Sequence, residues 1–464
     1  MSTVYKGVKK IHNLCARLFC SVTVASRRRV RSKKDMDLKS RENPIVTKLD
    51  TPEFRSIFTP EVLKLKQLFD QYQHEIRIAG GAVRDLLMGQ QPTDLDFATA
   101  ATPQQMKDMF TAEGVRMINM NGEKHGTITP RINDKENFEV TTLRIDMVTD
   151  GRHAEVEFTT DWKLDANRRD LTINSMYLGF DGSVYDYFFG YEDLQKRRIA
   201  FVGDPDVRIK EDYLRIMRYF RFYGKIAETP DGHEEQTLKI LKNNADGLQH
   251  VSGERIWVEL KKTLQGKFAG SLLKIMMDIG VGKRIGLPDH PNVEELDKVL
   301  KRAEHLQLHP ITYLVTLLKD MDEVTVLHSR LKFSGYDRDL AYFLVEHRGD
   351  KVSNNPLLPY EKLVLNTKMK QKDAVEYVKE VLKYRGDKNL LEQFNKWNIP
   401  KFPVSGKDLK ENNVPPGKMY GLIISKLKEM WVENEYKQTS GDLVKFIPTI
   451  IEELDKQKKI KQVK

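Results

Sequence analysis

The stretch IRIAGGAVRDLLMGQQPTDLDFAT, Ile76–Thr99, decides how the rest of the chain is read. IRIA is a short run of strand-forming residues, the pair Gly80-Gly81 interrupts it, and AVRDLLMG has the pattern of a helix. Gln91-Pro92-Thr93 then makes a turn and LDFAT a second strand. A strand that passes through a glycine turn into a helix and returns as a strand opens a unit of mixed α and β structure. Two of its features carry chemistry. Glycine at 80 and 81 lets backbone approach a phosphate while the helix start supplies amide donors, and Arg84 is placed to clamp triphosphate oxygens. Asp94 and Asp96, two apart on the expected strand, point to one face, so their carboxylates converge. Such convergence holds Mg²⁺ for phosphoryl transfer, activating the attacking oxygen and neutralising the leaving pyrophosphate. Either feature alone is commonplace: glycine turns are mostly structural, and D-x-D pairs occur on solvated strands. The carboxylates follow the glycine turn by ten to sixteen residues, and that proximity points to a joint phosphate and metal site.

Outward from this stretch, EVLKLKQLFDQY after Pro60 reads as an amphipathic helix with Val62, Leu65, Leu68 and Phe69 on one side. TPQQMKDMF continues the helical signal, MNGEKHGT reads as a loop, and TITPRI and NFEVTTLRI alternate as strands. In the latter, Glu139 shares a face with Thr141, opposite Phe138 and Val140, and is the candidate third carboxylate; the plainer alternative is a solvent-facing strand residue. Arg168-Arg169-Asp170 leads into LTINSM. Its arginines suit phosphates or a base, and Asp170 with Asn174, one helical turn on, suits ribose hydroxyls, against the alternative of a helix capped by Asp170.

In EDYLRIMRYFRF, residues 211–222, Asp212 and Arg215 stand at i and i+3 on an expected single helix. Such a pair is usually a weak surface ion pair, but it can also act as a template. Ionised Asp only accepts and Arg only donates, whereas cytosine and adenine each set an amino donor beside a ring-nitrogen acceptor. Both bases fit the pair; guanine and uracil, which present a carbonyl instead, do not. The row winds by about half a turn to Arg221, so Arg218 is expected to support the pair or reach the triphosphate. Arg221 is expected to be structural or to contact RNA backbone.

After about Gly190 alternation fades and helical periodicity runs to the end, with proline-containing joints near 289–291, 355–359 and 400–403. No internal repeat is visible, and no run reaches the roughly 18 apolar residues of a membrane span. The formal charge of +10 is local: residues 1–34 hold ten Lys and Arg and no acid, leaving 67 of each sign in the remainder. Global basicity therefore gives no support for RNA binding. The acid-free segment, with Arg27-Arg28-Arg29 and apolar residues from Leu14 to Phe19, reads as a mitochondrial transit peptide, and Met36 offers a second start for a cytosolic or nuclear form. Cys15 and Cys20, the only cysteines, lie inside it, which removes disulfides and thiolate metal sites from any mechanism of the mature chain. No signal specifies an oligomeric state.

Taken together, GGAVRD, DLDFAT, RRDLTINSM, DYFFGYEDL, EDYLRIMRYFRF and SGERIWVELKK resemble, in order, the motifs of the class II tRNA nucleotidyltransferase and bacterial poly(A) polymerase family, eukaryotic mitochondrial type. The resemblance implies an α+β fold: a polymerase-β-like nucleotidyltransferase head followed by an all-helical neck, body and tail. The expected divisions are a transit peptide over 1–35, head 50–190, neck 191–265, body 266–350 and tRNA-binding tail 351–464. By motif, Gly80, Gly81 and Arg84 would bind triphosphate, Asp94 and Asp96 Mg²⁺, and Arg168, Arg169 and Asp170 nucleotide and ribose. Asp212 and Arg215 would read the base, Asp186–Leu194 would form a hinge, and LRIDMVTDGRHA at 143–154 would be a mobile loop aiding the change from C to A. The implied reaction is stepwise transfer of CMP, CMP and AMP from CTP and ATP to the tRNA 3′ end. The rivals are a poly(A) polymerase of the same class, a small-molecule nucleotidyltransferase, against which the long helical extension argues, and a non-catalytic RNA-binding scaffold, which loss of a metal carboxylate would favour.

Overall fold

The computed structural model describes residues 39–118, 120–150, 153–350 and 355–462. The expected transit peptide, both cysteines and the alternative start Met36 lie outside them. The described residues fall into two compact units, one running from residue 39 to 228 with 234–244, the other of 229–233 with the described residues from 245 to 462.

The first unit is built on a nine-stranded sheet of order β1-β11-β10-β2-β3-β7-β5-β4, with β6 on β5. The strands are β1 (Ile45–Lys48), β2 (Ile76–Ala79), β3 (Asp96–Thr99), β4 (Arg116–Ile118), β5 (Thr127–Ile132), β6 (Glu136–Asn137), β7 (Glu139–Thr142), β10 (Tyr177–Leu178) and β11 (Ser183–Tyr185). The expected helix forms over Pro60–Gln71, with Thr59 capping Val62 N–H and Pro60 at the first turn, where its missing donor costs nothing. Val62, Leu65, Leu68 and Phe69 are fully buried, as are the sheet's own apolar residues Ile78, Phe97 and Val140. Between β3 and β7 the chain crosses through the helix Pro103–Ala112, opened by a capping box of Thr102 and Gln105. That crossover makes β3 and β7 a parallel pair whose register sets Asp96 opposite Glu139.

The expected mobile loop over 143–154 is instead mostly strand. β8 (Arg144–Asp150) and β9 (His153–Phe158) form a separate two-stranded antiparallel ribbon, closed at its root by Thr159 N–H to Leu143 O. MNGEKHGT likewise contains a 3₁₀ turn over Met120–His125. In the hinge-like segment, Asp186 is fully buried and accepts the N–H groups of Phe188, Gly190 and Tyr191, and Arg41 reaches it from the amino-terminal side.

Beyond β11 the described residues contain only helices and turns, apart from one isolated bridge between Leu171 and Phe201. The second unit is all-helical from Gly253–Leu264 to Ile447–Gln462. Its carboxy-terminal part has its own core of Leu409, Val414, Ile423, Leu427, Trp431 and Leu443.

Candidate active site

Asp96 begins β3, while Asp94 sits two residues earlier in a bend rather than on the strand. The expectation of both on one strand face is corrected accordingly: Pro92 and the turn after it delay the start of pairing. The two carboxylates still face one cleft of about 700 Å³, lined also by Gln91, Thr129, Phe138 and Glu139. Burial pushes the Asp96 carboxyl above its ordinary range, the charges of Glu139 and Asp94 push it further, and Arg169 opposes them. Glu139 and Asp94 thus both bear on Asp96, with Arg169 as the opposing charge. Among the described residues, no three acidic, His or Cys groups are drawn up at coordinating geometry. The donor chemistry of Asp94, Asp96 and Glu139, hard carboxylate oxygens lining one cleft, fits a dication such as Mg²⁺.

The glycine turn lies at the end of β2. Gly80 has φ of 65° and ψ of −117°, which a side chain would strain, and a Cβ there would stand 2.9 Å from Arg169 Nη1. The backbone therefore calls for glycine, and any side chain there would also have to displace the Arg169 guanidinium. Arg84, expected to clamp triphosphate oxygens, is 5% exposed: Nη1 donates to Asn174 Oδ1 at 2.5 Å, Nε to Asp85 at 2.9 Å, and its guanidinium lies 5.0 Å over the Phe222 ring. Asn174 thus faces Arg84, and the helical spacing of Asp170 and Asn174 is corrected to a single 3₁₀ turn over Thr172–Asn174 that Asp170 does not cap. Asp170 instead accepts Arg218 Nε at 2.6 Å, and the arginines around it hold its carboxyl low despite burial. Arg169 Nε and Asn174 Nδ2 are buried donors with no hydrogen-bond partner in the protein.

The continuous helix expected over 211–222 is broken. One helix ends at Glu211, Asp212 is extended at φ −154° and ψ 106°, and the next helix runs Leu214–Ile226. The cause is local: Asp212 Oδ1 accepts the Leu214 N–H at 3.1 Å, a side-chain bond that competes with helix continuation. Arg215 N–H bonds to Asp212 O at 3.0 Å, but the Arg215 guanidinium turns to other partners than the Asp212 carboxylate. Its Nη1 meets Glu211 at 2.6 Å and Arg208 O at 2.9 Å, and Nη2 meets Arg168 O at 3.2 Å. These bonds fix the guanidinium beside the arginine pair of residues 168–169. Arg218 and Arg221 both lie over the Phe222 ring, at 5.4 Å and 4.9 Å, and Arg221 lowers Arg84 electrostatically, so it belongs to the same basic cluster.

Two residues of this arrangement carry no motif. Lys225 Nζ reaches both Asp85 oxygens, at 2.9 and 3.0 Å, and Asp165 joins Arg168 and Arg169. Asp165 was legible in principle, since it stands three and four residues before two arginines on a helical stretch.

Residues 76–200 match the family described as "Poly A polymerase head domain", and 234–290 the one described as "Probable RNA and SrmB- binding site of polymerase A". The mouse protein named CCA tRNA nucleotidyltransferase 1, mitochondrial, is 51% identical over 86% of this chain and 92% of its own length; the human protein of that name is 50% identical over the same shares. A Lactococcus lactis CCA-adding enzyme is 31% identical over 82% of this chain and 94% of its own. Among solved structures, the Bacillus stearothermophilus CCA-adding enzyme in complex with CTP superposes with a TM-score of 0.65 at 24% identity, covering 88% of this chain and all of that one. At that identity the likeness speaks for the fold, whereas half the residues shared across nearly the whole of the mouse and human proteins speak for descent. The chain belongs to the CCA tRNA nucleotidyltransferase family of enzymes.

Proposed function

We propose that the protein adds CCA stepwise to the 3′ end of immature or damaged tRNA, taking CMP, CMP and AMP from CTP and ATP and releasing pyrophosphate. The observation that carries this reading is the meeting of two charge systems: the Asp94, Asp96 and Glu139 carboxylates, and an Arg169 within electrostatic reach of Asp96 whose Nε is buried without a partner. Asp94 and Asp96 hold Mg²⁺, with Glu139 completing the acidic face. When bound, the metal lowers the barrier by activating the attacking 3′ oxygen and neutralising charge on the leaving pyrophosphate. Gly80 and Gly81 admit the triphosphate to the backbone, and Arg84, held behind the turn by Asp85 and Asn174, supplies positive potential. Arg168, Arg169 and Asp170 receive nucleotide and ribose. Asp212 and Arg215 read the base, and the bonds that immobilise Arg215 suit that role, because a protein template must not adapt to the wrong base. Arg218 steadies Asp170, and Arg221 adds to the basic cluster or meets RNA backbone.

The relatives named mitochondrial support placing the enzyme in the mitochondrial matrix. Initiation at Met36 supplies the cytosol and nucleus, an idea that a single long form in one fraction of immunoblotted cells would sink. Among the described residues no helix is long and apolar enough to cross a membrane.

The test is incubation with Mg²⁺ and tRNA lacking CCA, each nucleoside triphosphate first singly and then CTP with ATP. Two C additions followed by one A are expected; long A tracts would indicate a poly(A) polymerase, and no incorporation a scaffold. Asp94→Ala is expected to abolish incorporation while tRNA binding persists, and retained activity would refute the metal assignment.

A further inference from the structure

Asp165 lies on the helix Trp162–Asn167, three residues before Arg168-Arg169-Asp170, and is 1% exposed. Four donors converge on its two oxygens. Oδ1 accepts Arg168 Nε at 2.8 Å and the backbone N–H of Arg144 at 3.1 Å; Oδ2 accepts the Tyr177 hydroxyl and, at 3.4 Å, Arg169 Nη2. Burial alone would raise this carboxyl, but Arg168 and Arg169 hold it down at about 2, so it stays ionised.

The two arginines need such a partner. Consecutive guanidinia in a partly buried place repel each other, and their long side chains lose considerable rotamer freedom when fixed. Arg169 is fixed further by Nη1 to Asn174 O at 3.2 Å and by stacking 4.9 Å over the Tyr177 ring, which itself donates to Asp165. The outcome is a guanidinium pressed against Gly80 with Nε left unpartnered. Arg144 is the first residue of β8, so the same carboxylate also pins the root of the β8–β9 ribbon.

We propose that Asp165 is the positioning residue for nucleotide binding: it orients Arg168 and Arg169 toward the triphosphate and ties that orientation to the root of the β8–β9 ribbon. This rests on the reading of Arg168 and Arg169 as nucleotide ligands. Asp165 touches no substrate; it acts by balancing the charge and restricting the rotamers of the two groups that do.

The experiment uses the full chain with Mg²⁺ and tRNA acceptors ending before the first C and before A, measuring KM and kcat for CTP and ATP alongside thermal melting. Asp165→Asn is expected to raise KM for both nucleotides about tenfold, as loss of a charged hydrogen-bond partner does, with kcat at saturating nucleotide held within about threefold. A purely structural role would lower the melting temperature and the active fraction, hence kcat, and leave KM alone. Arg169→Ala is the control for the underlying reading. If it raises KM while a folded Asp165→Asn does not, the role of Asp165 is overturned and the nucleotide reading stands; if Arg169→Ala leaves KM unchanged, the nucleotide reading falls and the proposal with it. Should Asp165→Asn fail to fold, Asp165→Glu keeps the charge but moves it by one methylene. A KM raised several-fold then supports the proposal, and an unchanged KM overturns it.

Discussion

A carboxylate with 1% exposure stays charged only when its surroundings return what water gave, and Asp165 receives that from four donors and two guanidinium charges. Its folded-state value of about 2 lies below the ordinary 3.8, so it contributes stability that is fully present above about 3.8 and is lost as pH falls toward 2. Asp165→Asn lacks that contribution at every pH. The gap in melting temperature between wild type and variant should therefore be steady above pH 4 and close as the pH drops toward 2; a gap that widens on acidification would show that the residue is not held ionised. Asp165 escaped the sequence reading although its spacing to both arginines is in plain view, because side-chain partners on a helix face are common and nothing in a single sequence marks one as buried. Asp96 was found because two acids flanking one residue announce a strand face. That Asp94 stands in a bend before the strand depends on where pairing with β7 begins, which is a tertiary matter.

At the level of elements, strands and helices with strong periodicity were legible: Val62, Leu65, Leu68 and Phe69 formed the buried stripe that their spacing implied. The helix over 211–222 was not, since its apolar period runs without interruption across a break made by one side chain, Asp212 bonding to Leu214 N–H. The break changes what Asp212 is: a junction residue whose carboxylate is aimed by its own backbone, beside an Arg215 fixed by Glu211 and Arg168 O. Asp212→Ala is expected to relax base choice, seen as incorporation from UTP or GTP, and unchanged rejection of both would count against the template. The same logic applies at the sheet edge. β1 pairs with β11, and Arg41, just before it, donates to Tyr187 O and pairs with Asp186 and Glu192. Residues 39–48 are thus part of the head. Removing them should lower the melting temperature and promote aggregation by baring the β11 edge, whereas a chain starting at Met36 should melt like the long form.

For the whole molecule, charge and packing point the same way. Outside residues 1–34 acidic and basic residues balance, so RNA affinity has to come from local surfaces on a helical scaffold rather than from bulk attraction. The carboxylates proposed to hold metal, the arginines and the junction at Asp212 all belong to the first unit, while the carboxy-terminal helices are held by a core of their own around Trp431. Trp431 is 3% exposed, with ring centroids 5.4 Å from Phe402 and 5.1 Å from Tyr436. Truncation to alanine should cost about 3–5 kcal/mol, confined to that local core. If the tail holds tRNA by shape, as the long helical extension suggests, Trp431→Ala should raise the Kd for tRNA several-fold and leave the Kd for CTP unchanged. A variant that lost both together would mean that the nucleotide site depends on the tail core; one that lost neither would move the tRNA grip to other helices. Filter binding with labelled tRNA and equilibrium dialysis with CTP, on the same preparation, separate these outcomes.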